Sequence, residues 1–214
     1  MWQLDGSKAF LQTPQLSCQL DLASPSTGLT ALRVKLNAKQ AVSPLDAALM
    51  QLTLPSKKTP PTDAYIRGND LVATYAESAD RCCRTQIYWR FANEADYFGV
   101  QLIVSVQTSR LDAAPGLTVT SRLPGPAQLV EEGTVVVPLP ESDVCYAELI
   151  DGSNVESTIV RGTRITNKLF PGSLEKGVIR RARILGSFLP ASSSEQTARA
   201  LHERLVRSAP PLTT

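Results

Sequence analysis

Through much of this chain apolar and polar residues alternate with a period of two, the spacing that sends successive side chains to opposite faces of an extended backbone. Leu16, Cys18, Leu20 and Leu22 share one face. Leu32, Val34 and Leu36 face one way while Arg33 and Lys35 face the other, and Leu71, Ala73 and Tyr75 continue the pattern. Two neighbouring stretches are the clearest. Thr85, Ile87, Trp89 and Phe91 form an apolar face opposite Arg84, Gln86, Tyr88 and Arg90. Then Phe98, Val100, Leu102, Val104 and Val106 point inward, with Tyr97, Gln101, Ser105 and Gln107 outward. Joined through 92–96, the two stretches read as a hairpin. Further strands are expected at 117–122, 134–137, 145–150, 158–165 and 178–189.

Proline and glycine punctuate these strands, at 55–61, 115–116, 124–126, 138–140, 151–152 and 171–172. Alternating, half-polar strands are the mark of antiparallel sheet with one solvated face. The repeated strand–helix unit of a doubly wound parallel fold is absent. The expectation is a mostly β protein, an antiparallel two-sheet sandwich or supersandwich with a C-terminal α-helix. That helix is placed at 193–208. Ser192 with Glu195 makes a capping box, and Ala198, Leu201 and Leu205 make an apolar stripe. Arg204 and Arg207 suit the negative end of the helix dipole, and Pro210 and Pro211 stop the helix. A short segment at 46–52 also has helical spacing. Residues 56–62 read as a long loop rather than a linker, and the tail after 208 as mobile. The chain is therefore expected to be one domain, 1–214, with N-terminal strands in 1–60.

Composition adds limits. With 43% apolar and 20% charged residues in 214, the chain is that of an ordinary globular protein. No apolar run approaches the ~18 residues of a membrane helix. Asp5 stands where a signal peptide would have its apolar core, so the expectation is a cytoplasmic protein without membrane contact. A net charge of +2 does not suggest nucleic acid. Charge is unevenly spread, however. Residues 111–160 hold eight acidic side chains and one basic, while 161–214 hold ten basic and three acidic. Such segments can pair across a sheet. The alternative is a basic surface around Arg180, Arg181 and Arg183, although alternation sends Arg181 and Arg183 to the face opposite Arg180.

Rare residues exclude several chemistries. His202 is the single histidine, so a site built on two histidines is absent, and its place at the edge of the helical stripe reads as structural or solvated. Cys18, Cys82, Cys83 and Cys145 include no Cys-x-x-Cys pair. They read as reduced thiols, with one of Cys82 and Cys83 in the core and the other exposed. No phosphate-binding glycine loop and no Gly-x-Ser-x-Gly elbow occurs. Nothing in the chain points to a cofactor, a metal or a catalytic residue.

One constellation could bind a ligand. The outward side of the hairpin carries Arg84, Gln86, Tyr88, Arg90, Tyr97 and Gln101. Amides and guanidinium groups give directional hydrogen bonds to a polyol, and an aromatic ring stacks on the apolar face of a sugar. Against this, any solvated sheet face is polar. Glu94 and Asp96 lie in the connecting loop, but two residues' separation does not establish the roughly 5–10 Å span of a glycosidase pair across a sugar.

The strand pattern of YIRGNDLVATYAESADRCCRTQIYWRF at 65–91 and of LEKGVIRRARILGSFLP at 174–190 resembles that of galactose-mutarotase-like β-supersandwich proteins and their non-catalytic relatives. The likeness spans about 65–189 and lies in pattern, not in a diagnostic motif. It implies a sandwich and a sugar-facing concave sheet. Mutarotases of that group use paired histidines and a glutamate, and this chain has no histidine in its strands, so the resemblance does not extend to epimerase activity. The expected function is a non-catalytic carbohydrate-binding module. The alternatives are a protein-interaction or assembly module, homo-oligomers included, and last a carboxylate-based glycoside-active enzyme.

Overall fold

A computed structural model describes residues 1–37, 41–55 and 60–209. Strands β1 (Trp2–Asp5), β2 (Lys8–Gln12), β3 (Leu16–Asp21), β4 (Thr30–Lys35) and β5 (Ala41–Leu45) make a five-stranded antiparallel meander. A four-stranded sheet takes β6 (Ala48–Thr53), β12 (Leu117–Arg122), β16 (Val155–Arg161) and β17 (Arg164–Leu169) in the order β16-β17-β12-β6. The largest sheet has eight strands. These are β7 (Asp63–Arg67), β8 (Asp70–Tyr75), β9 (Arg84–Asn93), β10 (Phe98–Gln107), β13 (Gln128–Glu131), β14 (Thr134–Pro138), β15 (Val144–Ile150) and β19 (Ile179–Pro190). Their order is β13-β14-β15-β19-β10-β9-β8-β7. Short strands β11 (Asp112–Ala113) and β18 (Leu174–Glu175) pair with each other, and α1 (Ser194–Arg207) is the one α-helix among the described residues. The fold is a mostly β, antiparallel sandwich with a C-terminal helix. Among the described residues no helix is long and apolar enough to cross a membrane.

Alternation decides the layers. The inner face of the eight-stranded sheet presents Leu71, Tyr75, Ile87, Trp89, Leu102, Val104, Ile184 and Phe188. These join Leu11, Leu20 and Leu32 from the meander and Val119 and Ile165 from the four-stranded sheet in one buried cluster. Burying each large apolar side chain contributes about 1.5–3 kcal/mol, so this shared interior is the principal force holding the layers together. The two smaller sheets meet where Leu29 and Leu49 exchange backbone hydrogen bonds of 2.7 and 3.0 Å. Gly28 permits that approach: its φ is +71°, and a Cβ there would sit 2.4 Å from the Leu49 carbonyl oxygen.

The outer face of the large sheet is divided. Over β14, β15 and β19 it is apolar, with Val136, Cys145, Ala147, Leu149, Leu185 and Leu189 covered by Ala198, Leu201 and Leu205 of α1. Over β8, β9 and β10 it is mostly polar.

Several expectations are corrected. Residues 46–52 do not form a helix: Ala48–Thr53 is β6, paired with β12. Buried alanines and leucines at 47–52 suit either period, and pairing with β12 decides between them. The strand expected at 158–165 is two strands, because Gly162 at φ +57° turns the chain between β16 and β17. The capping box is not formed. The N-cap is Ser193, without a side-chain cap, and 191–193 is a turn of 3₁₀ helix. The loop at 56–62 and the tail after 208 lie largely outside the described residues.

Candidate functional site

Strand register places the hairpin's outward residues in rows. Arg84 lies opposite Gln107, Gln86 opposite Ser105, Tyr88 opposite Ile103 and Arg90 opposite Gln101. Five of the six expected binding residues therefore share one sheet face. Tyr97 departs from them. It precedes β10, is 9% exposed, and packs in the apolar cluster beneath α1. Alternation could not foresee this, because the cover comes from a helix about a hundred residues downstream.

Most of these side chains are already engaged. Arg90 donates two hydrogen bonds to Asp70, from Nε at 2.6 Å and from a terminal nitrogen at 2.8 Å. The bonds to Asp70 hold the Arg90 guanidinium above its usual pKa, so it stays charged. The Tyr88 hydroxyl donates to Gln86 at 2.7 Å, and the Gln86 amide donates to Thr74 at 3.2 Å. Tyr88 is 8% exposed and forms a small apolar cluster with Val72 and Ile103. Burial raises its pKa. Neither Tyr88 nor Tyr97 presents an open ring for stacking. Tyr88→Phe removes one part-buried hydrogen bond and should lower stability by about 1 kcal/mol in urea unfolding. A loss under a few tenths would show that the hydroxyl is not held.

Beside this face lies a groove of about 400 Å³ between β9, β10 and the C-terminal half of α1. Its lining interleaves polar side chains, Asn69, Arg90, Asn93, Glu94 and Gln101, with apolar ones, Ala92 and Leu185 on the sheet and Leu201 and Leu205 on the helix. Arg204 of α1 pairs with Glu94 of the β9–β10 turn across its mouth, and the Tyr97 hydroxyl donates to Glu94 at 3.3 Å. Burial first, then the charge of Glu94, pushes the Tyr97 hydroxyl up to about 12, so it remains a donor. Three of the expected residues, Arg90, Tyr97 and Gln101, line this groove, while Arg84, Gln86 and Tyr88 do not.

The groove exists because α1 is anchored. Arg183 reaches Asp151 from Nε and a terminal nitrogen at 2.8 and 2.6 Å. It also donates to the Leu205 carbonyl at 2.9 Å and to Ser208 at 3.1 Å, satisfying acceptors at the helix C-terminus. Arg199 pairs with Glu131, and His202 Nε2 donates to the Ile150 carbonyl at 2.9 Å. His202 is thus a structural residue, and Gly133 leaves room for its ring. Asp151–Arg183 and Glu131–Arg199 join the acidic and basic halves recognised in the sequence. The basic cluster is no open surface. Arg183 is buried, and Arg180 bonds Asn154 and the Pro171 carbonyl while lying over Phe170.

A second polar cluster lies inside the sandwich, and the sequence did not single it out. Glu148 points inward from β15 and is fully buried. It accepts hydrogen bonds from Ser121 at 2.5 Å, Tyr146 at 2.9 Å and Asn167 at 2.7 Å. Ser121 in turn accepts from the Met50 amide, and Asn167 from Thr158. Gly186 makes space for this network, since a Cβ there would lie 2.5 Å from the Tyr146 hydroxyl. Burial raises the Glu148 pKa, against the three donors. With no exposed surface, it fastens the layers rather than meeting a ligand.

Among the described residues no group of three or more His, Cys, Asp or Glu side chains could hold a metal ion. No known family model matches this chain. Comparison with curated proteins finds no match either.

Proposed function

We propose that this chain is a binding module whose ligand is a neutral, polyhydroxylated molecule of sugar type, seated in the groove between α1 and the β9–β10 hairpin. The carrying observation is the groove's mixed lining: amides and charged groups interleaved with leucines. A sugar ring offers the same mixture, with hydroxyls at its edge and C–H bonds on its face. The volume of about 400 Å³ lies within the range of small-molecule sites. Charge favours a neutral ligand, because Arg90 is held by Asp70 and Arg204 by Glu94. An anion would have to displace a carboxylate from one of them. The resemblance to galactose-mutarotase-like sandwiches points toward the same ligand class.

A competing reading, in which the helix docks a partner, is weakened because the Ala198, Leu201 and Leu205 stripe is already buried within the chain. The test is a glycan array followed by calorimetry on the hits, with wild type and a Gln101→Ala, Asn93→Ala double variant. Both positions are at least partly exposed and line the groove. Each lost hydrogen bond is worth about 1 kcal/mol, so affinity should fall by at least ~10-fold. A blank array with folded protein, or unchanged affinity in the variant, would reject the proposal.

A further inference from the structure

Cys82 and Cys83 end the loop that leads from β8 into β9. Strand alternation would send their side chains apart, but both residues precede β9 and lie in a bend, and their Sγ atoms are 3.6 Å apart. Cys83 is buried against the main core, whereas Cys82 is half-buried and its thiol donates to the Ala114 carbonyl at 3.1 Å. The loop around them is tied down. Thr108 Oγ1 donates to the Cys82 carbonyl at 2.8 Å, and Glu77 accepts from the Ser109 amide at 2.9 Å.

The separation discriminates between two uses of a thiol pair. A disulfide needs the sulfurs at about 2.05 Å, so they would have to close by roughly 1.5 Å within a tied loop. A bridging atom bound to both at about 2.3 Å would subtend an angle of roughly 100°, ordinary for a tetrahedral or pyramidal centre. We infer that Cys82 and Cys83 form a two-sulfur chelate for a soft, thiophilic centre, of the class of trivalent arsenic or monovalent copper. No third histidine, cysteine or carboxylate joins them among the described residues, so this is not a four-ligand zinc site, and the remaining positions fall to solvent or to an organic substituent. The site is independent of the groove.

Phenylarsine oxide is the probe. Two As–S bonds form while the arsenic–oxygen bond breaks, the two thiol protons leave with that oxygen as one water, and arsenic stays trivalent. Intact-mass spectrometry of the native chain should show one arsenical adduct, removed by 2,3-dimercaptopropanol and not by an equimolar monothiol. Uptake should fall at least tenfold in Cys82→Ser and in Cys83→Ala, each checked for folding by circular dichroism. Should Cys83→Ala fail to fold, iodoacetamide can be used on the wild-type protein, and its mapped reaction at Cys82 should block the arsenical. No adduct on the native chain overturns the inference, as does uptake that survives in Cys82→Ser or after alkylation of Cys82.

Discussion

Replacing Glu148 by alanine is expected to destabilise the protein by about 4 kcal/mol. Ser121, Tyr146 and Asn167 would each lose an acceptor inside the sandwich, where water cannot replace it, and a void would remain beneath them. Urea unfolding followed by the fluorescence of Trp2 and Trp89 measures the loss. A change under 1 kcal/mol would mean that the network does not fasten the layers. Glu148→Gln is the sharper variant. Its oxygen can accept from Ser121 and Tyr146, and its amide can face Asn167 once that side chain turns over, with the Thr158 hydroxyl rotating to follow.

The pH dependence has a definite sign. The folded pKa of Glu148 is raised above its ordinary 4.5, so between the two values the folded state keeps a proton that the unfolded state releases. Stability therefore falls as pH climbs from about 4.5 through the raised value, and below 4.5 this contribution is fully present. Glu148→Gln should flatten that limb and match or exceed wild type above it. Equal slopes in the two proteins, from melting temperatures at pH 5 to 8, would show that Glu148 is not the group responsible.

Arg183→Met is expected to cost about 3–5 kcal/mol, because Asp151 would keep a largely buried charge without its partner. The same change removes the bonds to Leu205 and Ser208 that hold the end of α1. Hydrogen exchange in Ser194–Arg207 should accelerate more than in β9 and β10. Uniform acceleration would argue against a local anchor. Burial pushes the Asp151 carboxyl up, yet the hydrogen bonds from Arg183 and Ser153 outweigh it and leave the pKa below the usual 3.8. Stability from this pair is present above that value and is lost as pH falls through the lowered one, the opposite sense to Glu148. Because α1 forms one side of the groove, Arg183→Met should also weaken any ligand held there.

Much of the fold was legible. β10 and β12 were placed to within a residue, and the alternation at 84–91 assigned the inward and outward faces of β9. Strands are expected within 1–60, but alternation gives no bounds for β1 and β2, nor for β7 at 63–67. Trp2, Ala9 and Leu11 are buried, but segments so short contain too few alternations to stand out. Of the candidate site, the sheet-face residues were legible and the groove was not. Alternation points Tyr97 to the outer side of the sheet, and there it packs under the helix rather than meeting solvent. Apart from Glu148 both phases of β15 are apolar, so alternation does not tell which one faces the core: Cys145, Ala147 and Leu149 lie under α1, while Tyr146 and Glu148 point inward, where Ser121 and Asn167 arrive from another sheet.

The amino-acid sequence by itself determined the extended backbone, its antiparallel character and, in clearly alternating strands such as β9 and β10, the side that faces the interior. Side-chain parity along a strand is local, and solvation of one face is written in every second residue. What covers the other face was decided only by the tertiary structure. Contacts such as Arg183 with Asp151, Arg204 with Glu94 and Glu148 with Asn167 join residues 32, 110 and 19 positions apart. A periodicity carries no information about such partners. Whether a polar side chain meets water, a ligand or a buried counter-charge depends on where distant strands and the last helix come to rest.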